Sequence, residues 1–350
     1  MNKLLTISIA AYNVEKTIKE CLDSFISCRH FDDLEILVIN DGSNDQTAEI
    51  VTEYEIKYPN SIRLINKENG GHGSTLNKSF KLATGKFYKA VDGDDWVDGT
   101  ELDKLCDYLK NTDVDLVIDD YKEVYPDHSR IISFKGKYKL EKIYQFDELF
   151  VNRNYTDSFF TLPNSTIKIQ RLRDVGMKIQ EHCFYADTEL YFYIGLSTRT
   201  VGFVDSCTYR YRLGNSGQSV SEKGYYNHIE DLIKIEKNLL HLYSLYISRI
   251  KSRVRREYLF SIVNTRYSML FDCYTKIIQK ADKDSLFVEF LQYANLEYPL
   301  LVKMMHLSII NRFISDDPVK RIPLMRRIRK TLIFRILCKV KNFLSLNNGK

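Results

Sequence analysis

Between residues 4 and 120 short apolar runs alternate with longer stretches of helical spacing, and that alternation leaves few folds open. Leu4–Ala11 reads as a strand, and Val14–Ile26 follows with Ile18, Leu22, Phe25 and Ile26 at helical steps. Glu35–Asn40 repeats the strand signal, and Ser43-Asn-Asp-Gln46 has the form of a capping box opening a helix over Asp45–Tyr58. Ile62–Asn66, a helix around Ser74–Ala83 ended by Gly85, Phe87–Val91, Thr100–Leu109 and Asp115–Asp120 continue the series. Strands this uniformly apolar, separated by helices, predict a parallel sheet covered on both faces. Such sheets hold ligands at the carboxyl ends of their strands.

The remainder is organised differently. Residues 121–220 mix strand-like runs (Arg130–Phe134, Thr200–Val204) with helical ones (Phe146–Phe150, Thr188–Leu196). From about residue 225 the pattern is helical, and Asn215–Gly224 reads as a linker. A first domain over residues 1–220 and a helical domain over 221–350 are therefore expected, and 350 residues suffice for two cores. The 7 cysteines form no CxxC pair, which fits reduced thiols and a cytoplasmic setting better than a disulfide framework. No run approaches ~18 apolar residues, and the apolar stretch after Lys3 is too short and lacks a cleavage site for a signal peptide. Residues 301–350 carry 12 Lys/Arg against 2 Asp/Glu, leaving a mildly acidic body for which nucleic acid is not an expected partner.

The residues just past each strand carry the chemistry. Strand one ends in Ala11-Tyr12-Asn13, strand two in Asn40-Asp41-Gly42-Ser43, and strand four in Asp92-Gly93-Asp94-Asp95. The loop after strand three, Asn69-Gly-Gly-His-Gly-Ser-Thr-Leu-Asn77, has Leu76 where G-x-G-x-x-G needs its last glycine, and no P-loop motif exists. Neither a Rossmann dehydrogenase nor a P-loop NTPase is supported. Carboxylate oxygens suit hard divalent cations, so Asp92, Asp94 and Asp95 offer another way to neutralise a bound phosphate. Other acidic pairs in the chain, such as Asp113-Val-Asp115, show that the motif alone is weak; its place directly after a buried strand distinguishes it.

Taken together, Ser8-Ile-Ala-Ala-Tyr-Asn13, Val38-Ile-Asn-Asp-Gly-Ser43, Thr75-Leu-Asn77 with Ala83-Thr-Gly85, and Asp92-Gly-Asp-Asp95 resemble the family 2 glycosyltransferases of bacterial polysaccharide biosynthesis. The resemblance covers roughly residues 3–220. It implies the inverting GT-A fold, an α/β architecture with a mostly parallel sheet, here followed by a C-terminal helical region. It also implies transfer of a sugar from a nucleoside diphosphate sugar, UDP-linked by expectation, to a glycan or lipid-linked glycan, with Mn²⁺ or Mg²⁺ as cofactor. By the same resemblance Tyr12 lies against the nucleobase and Asp41 accepts hydrogen bonds from base or ribose. Asp92 sits by the ribose and the metal's water shell, Asp94 is the direct metal ligand, and Ala11, Asn13 and Gly93 line the donor site beside them.

An inverting transfer needs a carboxylate to take the acceptor hydroxyl's proton. Asp187 in Tyr185-Ala-Asp-Thr-Glu189 matches the family's base, with Glu189 as fallback; an Asp at a helix start is equally a routine N-cap. Arg212 in Tyr209-Arg-Tyr-Arg212 either contacts the donor diphosphate or is a surface arginine beside aromatic packing. One departure matters: the family often carries Arg where Leu76 stands, and Lys78, Lys81 or His72 must supply that charge if it is needed. Two other classes remain open. A sugar-phosphate nucleotidyltransferase would show a Gly-rich basic loop where this chain has Ala-Tyr-Asn-Val-Glu, and a non-catalytic glycan-binding scaffold would tolerate loss of the acidic residues.

In the tail, about residues 319–345, Met325, Ile328, Leu332, Ile336, Val340 and Phe343 fall on one helical stripe with Arg and Lys largely on the other side. Such a helix is expected either to lie on an anionic membrane, peripheral to the inner face of the plasma membrane, or to pack its stripe against the helical region.

Overall fold

A computed structural model describes residues 3–134, 136–140, 142–150, 160–214, 221–278 and 283–305, with Ile322 and Leu324. The apolar and basic stripe from Met325 onward and residues 215–220 lie outside the described residues. Two compact units are formed, Met1–Gln218 with Arg249–Ile262, and Ser219–Ser248 with Val263–Lys350.

In the first unit β1 (Leu5–Ala11), α1 (Ile18–Ile26), β2 (Leu34–Asn40), α2 (Thr47–Lys57), β3 (Ile62–Asn66), α3 (His72–Leu82), β4 (Phe87–Asp92), β5 (Trp96–Val97) and α4 (Gly99–Asn111) follow one another. Then come β6 (Leu116–Val124), β7 (Ser129–Ile132), β8 (Tyr144–Gln145), α5 (Phe146–Phe150), β9 (Ser165–Lys168), α6 (Ile169–Asp174), α7 (Asp187–Ser197) and β10 (Thr200–Arg212). All ten strands join one sheet, ordered β3-β2-β1-β4-β9-β6-β10-β5, with β7 on β6 and β8 on β10. Every residue of β2 is buried, and α1 covers the sheet with Ile18, Cys21, Leu22 and Phe25, spaced at helical steps.

The sheet is mostly parallel, as the resemblance implies: β1 runs parallel to β2 and β4, and β6 to β10, while β9 enters antiparallel between β4 and β6. Its four residues, Ser-Thr-Ile-Lys, are too few to show a period-two signature. The capping box at Ser43 does not form. Asp45 Oδ1 instead accepts from the Thr47 amide at 3.0 Å, starting α2 at Thr47, while Ser43 Oγ accepts from the Asn13 amide at 3.0 Å. Ser43 is diverted because the loop after β1 lies beside it.

Strand register fixes where chemistry can occur. Ala11 pairs with Asn40, Asn40 with Asn66, and Ala10 with Asp92, so the last residues of four parallel strands share one edge.

The second unit is helical. It contains α8 (Glu222–Asn227), α9 (Ile229–Ile247), the part of α10 (Arg253–Asp272) after Ile262, a π-helical turn over Cys273–Ile277, α11 (Asp284–Glu297) and α12 (Pro299–Met305). Ser221, expected in a linker, caps α8 by accepting from the Gly224 amide at 3.0 Å. Aromatic rings fill the interior, with Tyr274 stacked on Phe287 at 4.3 Å and Tyr267 5.1 Å from Phe271.

Glu236 on α9 interrupts that interior. It is fully buried, and among the described residues no donor reaches either carboxylate oxygen. Burial pushes its carboxyl well above 4.5, with the charge of Arg266 opposing. A carboxyl raised on folding favours the native state at low pH, and that contribution is lost as pH climbs towards the raised value. Glu236→Leu is therefore expected to stabilise the chain by about 1 kcal/mol or more at pH 8, roughly 2–4 °C in melting temperature, and by less at pH 5. Thermal denaturation at the two pH values checks this, and a lower melting temperature at pH 8 would refute it.

Candidate active site

Strand β4 ends at Asp92 and the chain turns at once, with the Asp95 amide donating to the Asp92 carbonyl at 3.0 Å. Gly93 lets the turn lie against β1. Its amide donates to the Ala10 carbonyl at 2.9 Å, and a Cβ there would stand 2.8 Å from the same oxygen. The Thr17 hydroxyl, just before α1, donates to the Gly93 carbonyl at 3.0 Å. The result is that Asp92, Asp94 and Asp95 place carboxylate oxygens within 4.8 Å of one another.

Such crowding shows in their acidity. Burial, then the charge of Asp92, pushes Asp94 up to about 6, and burial with the charges of Asp92 and Asp94 pushes Asp95 up to about 9. A cluster of oxygen donors that resists ionising alone suits a hard divalent cation, so the residues present fit such an ion. The three are not equivalent. Asp95 is 1% exposed and both its oxygens are engaged, Oδ2 by the Tyr209 hydroxyl at 2.6 Å and Oδ1 by the Arg212 amide at 2.7 Å. Asp92 and Asp94 are less buried, which favours them as ligands.

Asp41, at the end of β2, is 2% exposed and already saturated by the chain's own donors. Its carboxylate accepts from Lys67 Nζ at 2.5 Å, the Gly70 and Gly71 amides at 2.9 and 2.8 Å, and Ser74 Oγ at 3.2 Å. These bonds fix the entry into α3, whose first residue, His72, points Nε2 at Asp92 Oδ1 across 3.1 Å. Burial alone would lower the His72 imidazole. The Asp92 hydrogen bond, then the charges of Asp92, Asp187 and Asp41, reverse that and raise it.

Leu76, one turn farther along α3, is buried, while Lys78 and Lys81 are exposed; of the three cations considered for this helix, His72 is the one at the acidic turn. The sequence reading gives Lys67 no role here, although it follows a strand end directly, and gives Tyr209 a place only in the segment that carries Arg212.

A second segment closes on the same edge. The carbonyl of Gln180 comes so near Gly73 that a Cβ would lie 1.9 Å from it, and Asn77 clamps the backbone of Ile179 with bonds of 2.8 and 2.9 Å. Glu189, fully buried on α7, accepts from the Gln180 amide at 2.8 Å and so holds this segment in place. Asp187 opens α7, but Ala186 occupies the cap position, so capping does not account for Asp187. Its carboxylate is partly exposed and accepts from the Tyr191 hydroxyl at 2.7 Å.

Around these groups, Ala11 is buried, Tyr12 is half exposed, and the Asn13 amide oxygen accepts from the Asn44 amide at 2.9 Å. Arg212 lies with Nε on the Asp94 carbonyl at 2.8 Å, a terminal nitrogen on Glu20 at 2.6 Å, and its guanidinium 4.4 Å over Trp96. Among the described residues, those other than glycine with left-handed backbone are Asn13, His182 and Tyr185, all in loops at this edge. Such strain tends to collect at functional sites.

Residues 6–170 match the sequence profile of the family described as Glycosyl transferase family 2. An uncharacterized glycosyltransferase, EpsJ of Bacillus subtilis (strain 168), is 37% identical over 117 residues, 33% of this chain and 33% of that protein. The poly(ribitol-phosphate) beta-glucosyltransferase of Bacillus spizizenii is 26% identical over 244 residues, 67% of this chain and 37% of that protein. The chain thus spans about a third of the length of these relatives. A crystal structure of S. aureus TarS residues 1–349 with UDP-GlcNAc matches with a TM-score of 0.62 at 18% identity, covering 93% of this chain and 90% of that one. At that identity the likeness establishes the fold alone, which is the GT-A arrangement of a mostly parallel sheet with helices.

The close approach at Gly93 has a measurable consequence. Gly93→Ala pushes a methyl group into the Ala10 carbonyl and is expected to cost about 1–3 kcal/mol in urea denaturation. A neutral substitution would show that the turn has room the geometry denies.

Proposed function

The chain belongs to glycosyl transferase family 2, and we propose that it is a metal-dependent inverting transferase moving a sugar from a UDP-sugar to a glycan or lipid-linked glycan in cell-surface polysaccharide synthesis. The observation that carries this is the Asp92–Asp94 carboxylate pair at the shared edge of four parallel strands, with the partly exposed Asp187 beside it on α7. The UDP-GlcNAc complex of TarS and the polyol-phosphate substrate named for the Bacillus spizizenii relative support the donor and acceptor classes.

In this reading Asp92 and Asp94 hold Mn²⁺ or Mg²⁺, which when bound offsets the charge gathering on the departing diphosphate. Tyr12, exposed past β1, stacks on the base. Ala11, Asn13 and Gly93 shape the floor beneath the donor. Asp41 acts on the donor mainly by fixing the loop that carries His72, since its oxygens are already engaged. Arg212, bonded to the Asp94 carbonyl, brings a positive charge towards the diphosphate. Asp187 takes the proton from the acceptor hydroxyl, held in orientation by Tyr191. Glu189 is a poor alternative because it is buried and bound to backbone. From the end of β1, residues Ala11 to Glu15 include neither glycine nor a basic side chain, which disfavours nucleotidyl transfer.

A thermal-shift screen of nucleotides and nucleotide sugars, with and without Mn²⁺, should give its largest stabilisation with UDP-sugars plus metal. Asp94→Ala should remove that shift. Asp187→Asn should keep it and lower turnover by ~10²-fold or more. Normal turnover in Asp187→Asn, or metal-independent transfer in EDTA, would overturn the respective assignment.

A lipid-linked acceptor gives the basic tail a role at an anionic bilayer, each cation near the surface contributing on the order of 1 kcal/mol. The full chain should co-sediment with vesicles containing anionic lipid at low salt, and a chain ending at Asp317 should not. Equal behaviour of the two would refute a membrane-binding tail.

A further inference from the structure

One side chain outside the acidic turn holds both of its ends. Tyr209 is fully buried on β10, and its hydroxyl accepts from the Asp92 amide at 3.2 Å while meeting Asp95 Oδ2 at 2.6 Å. The backbone brings it there by irregularity. β10 pairs in parallel with β6, but the register shifts between Phe203 and Cys207 and again between Cys207 and Tyr209. Bulges of this kind re-aim a side chain. The displaced amides are not left bare: Cys207 donates to Glu101 Oε2 at 2.9 Å and Thr208 to Asp119 Oδ2 at 3.1 Å. Beyond the bulge, Tyr209 and Arg210 pair with Val97 and Trp96 of β5, directly after the turn. Three residues on, the Arg212 amide takes the remaining Asp95 oxygen.

We propose that Tyr209 is the positioning residue of the metal site, its hydroxyl fixing the spacing of Asp92 and Asp95 so that Asp92 and Asp94 stand ready for a divalent cation. This rests on the reading that the turn binds such an ion. Asp95 then serves as the turn's inner strut, and its carboxylate is not itself a ligand. The ring of Tyr209 packs in the core whether or not it carries oxygen, with Lys89 Nζ 6.0 Å from its centre. Removing the hydroxyl takes a shared partner from the Asp92 amide, at the partly exposed end of the turn, and from Asp95 Oδ2, so the loss falls on the turn. Outer residues that orient ligands typically govern metal affinity by 10–100-fold.

Calorimetric titration of the full chain with Mn²⁺ alone, paired with melting in EDTA, tests this. Tyr209→Phe should bind Mn²⁺ about tenfold or more weakly, while its melting temperature in EDTA falls by no more than a few degrees. Asp95→Asn keeps an oxygen for the Arg212 amide and an amide group facing Tyr209, and should retain Mn²⁺ affinity within a few-fold. Wild-type affinity in Tyr209→Phe overturns the proposal, as does a metal-free melting temperature that collapses by about 10 °C or more along with binding, which marks a merely structural role. Greater loss in Asp95→Asn than in Tyr209→Phe makes Asp95 a ligand and overturns the division of labour. If the unmodified protein itself binds no Mn²⁺, the metal-dependent reading of the site fails first, a result distinct from all of these.

Discussion

Three carboxyl groups within 4.8 Å, at the end of a buried strand, set the terms for everything near them. Two full charges about 4 Å apart oppose each other by about 4 kcal/mol at an effective dielectric of about 20. A hydrogen bond to a charged group returns about 1.5–3 kcal/mol. Each acid therefore needs several donors, a proton or a cation to be tolerated. The structure distributes these unequally: Asp95 has Tyr209 and the Arg212 amide, Asp92 has His72, and the positive Arg212 lies on the Asp94 carbonyl. The acid with the most partners is the most buried. The two with fewer are left where an incoming cation can relieve them.

How much of this was legible follows from range. The strands from β1 to β4 announce themselves because apolar runs are local, and with them come the strand ends that carry Tyr12, Asp41 and Asp92. Gly93 was legible as part of a motif, although its reason, the Ala10 carbonyl pressing on it, is a contact between strands far apart in sequence. β9 stayed hidden because four residues carry no periodicity, although it enters the mostly parallel sheet antiparallel to both neighbours. β10 showed only its first residues, since its bulges break the alternation that would have extended the reading from Val204 to Arg212. The capping box at Ser43 failed for a similar reason: a tertiary partner, the Asn13 amide, outcompeted the local one.

Asp41 and Leu76 show how a resemblance can name a residue and leave its work open. Asp41 is at the shared strand edge, but Lys67, Gly70, Gly71 and Ser74 already use its oxygens, and its carboxylate anchors the start of α3 where amide groups point outward. Leu76 lies in the core, so the arginine that the resemblance leads one to expect on that turn of α3 is absent from it. His72, four residues earlier, shares the same helical face one turn nearer the acidic residues and reaches Asp92. The site thus gains a group beside Asp92 that can donate when neutral as well as when charged, in place of a permanently charged guanidinium.

Beneath the turn, the buried Lys89–Asp119 pair explains why the sheet tolerates its own irregularity. β9 pairs with β4 only at Phe87 and Tyr88, and with β6 only from Leu116 to Ile118, so both neighbours lose their partner just before the edge that carries the acidic turn. Lys89 spans the gap, donating to the Pro163 carbonyl at 2.7 Å and standing 3.4 Å from Asp119, whose amide donates to the Asn164 carbonyl at 3.2 Å. Burial pulls the Lys89 ammonium down and pushes the Asp119 carboxyl up, so the pair is no simple source of stability. Its yield is placement. Asp119 spends its other oxygen on the Thr208 amide, which fixes where β10 resumes after its bulge and hence where Tyr209 stands. An apolar pair of similar volume would fill the same space, yet leave the Thr208 amide and the Pro163 carbonyl without partners and the position of Tyr209 undetermined.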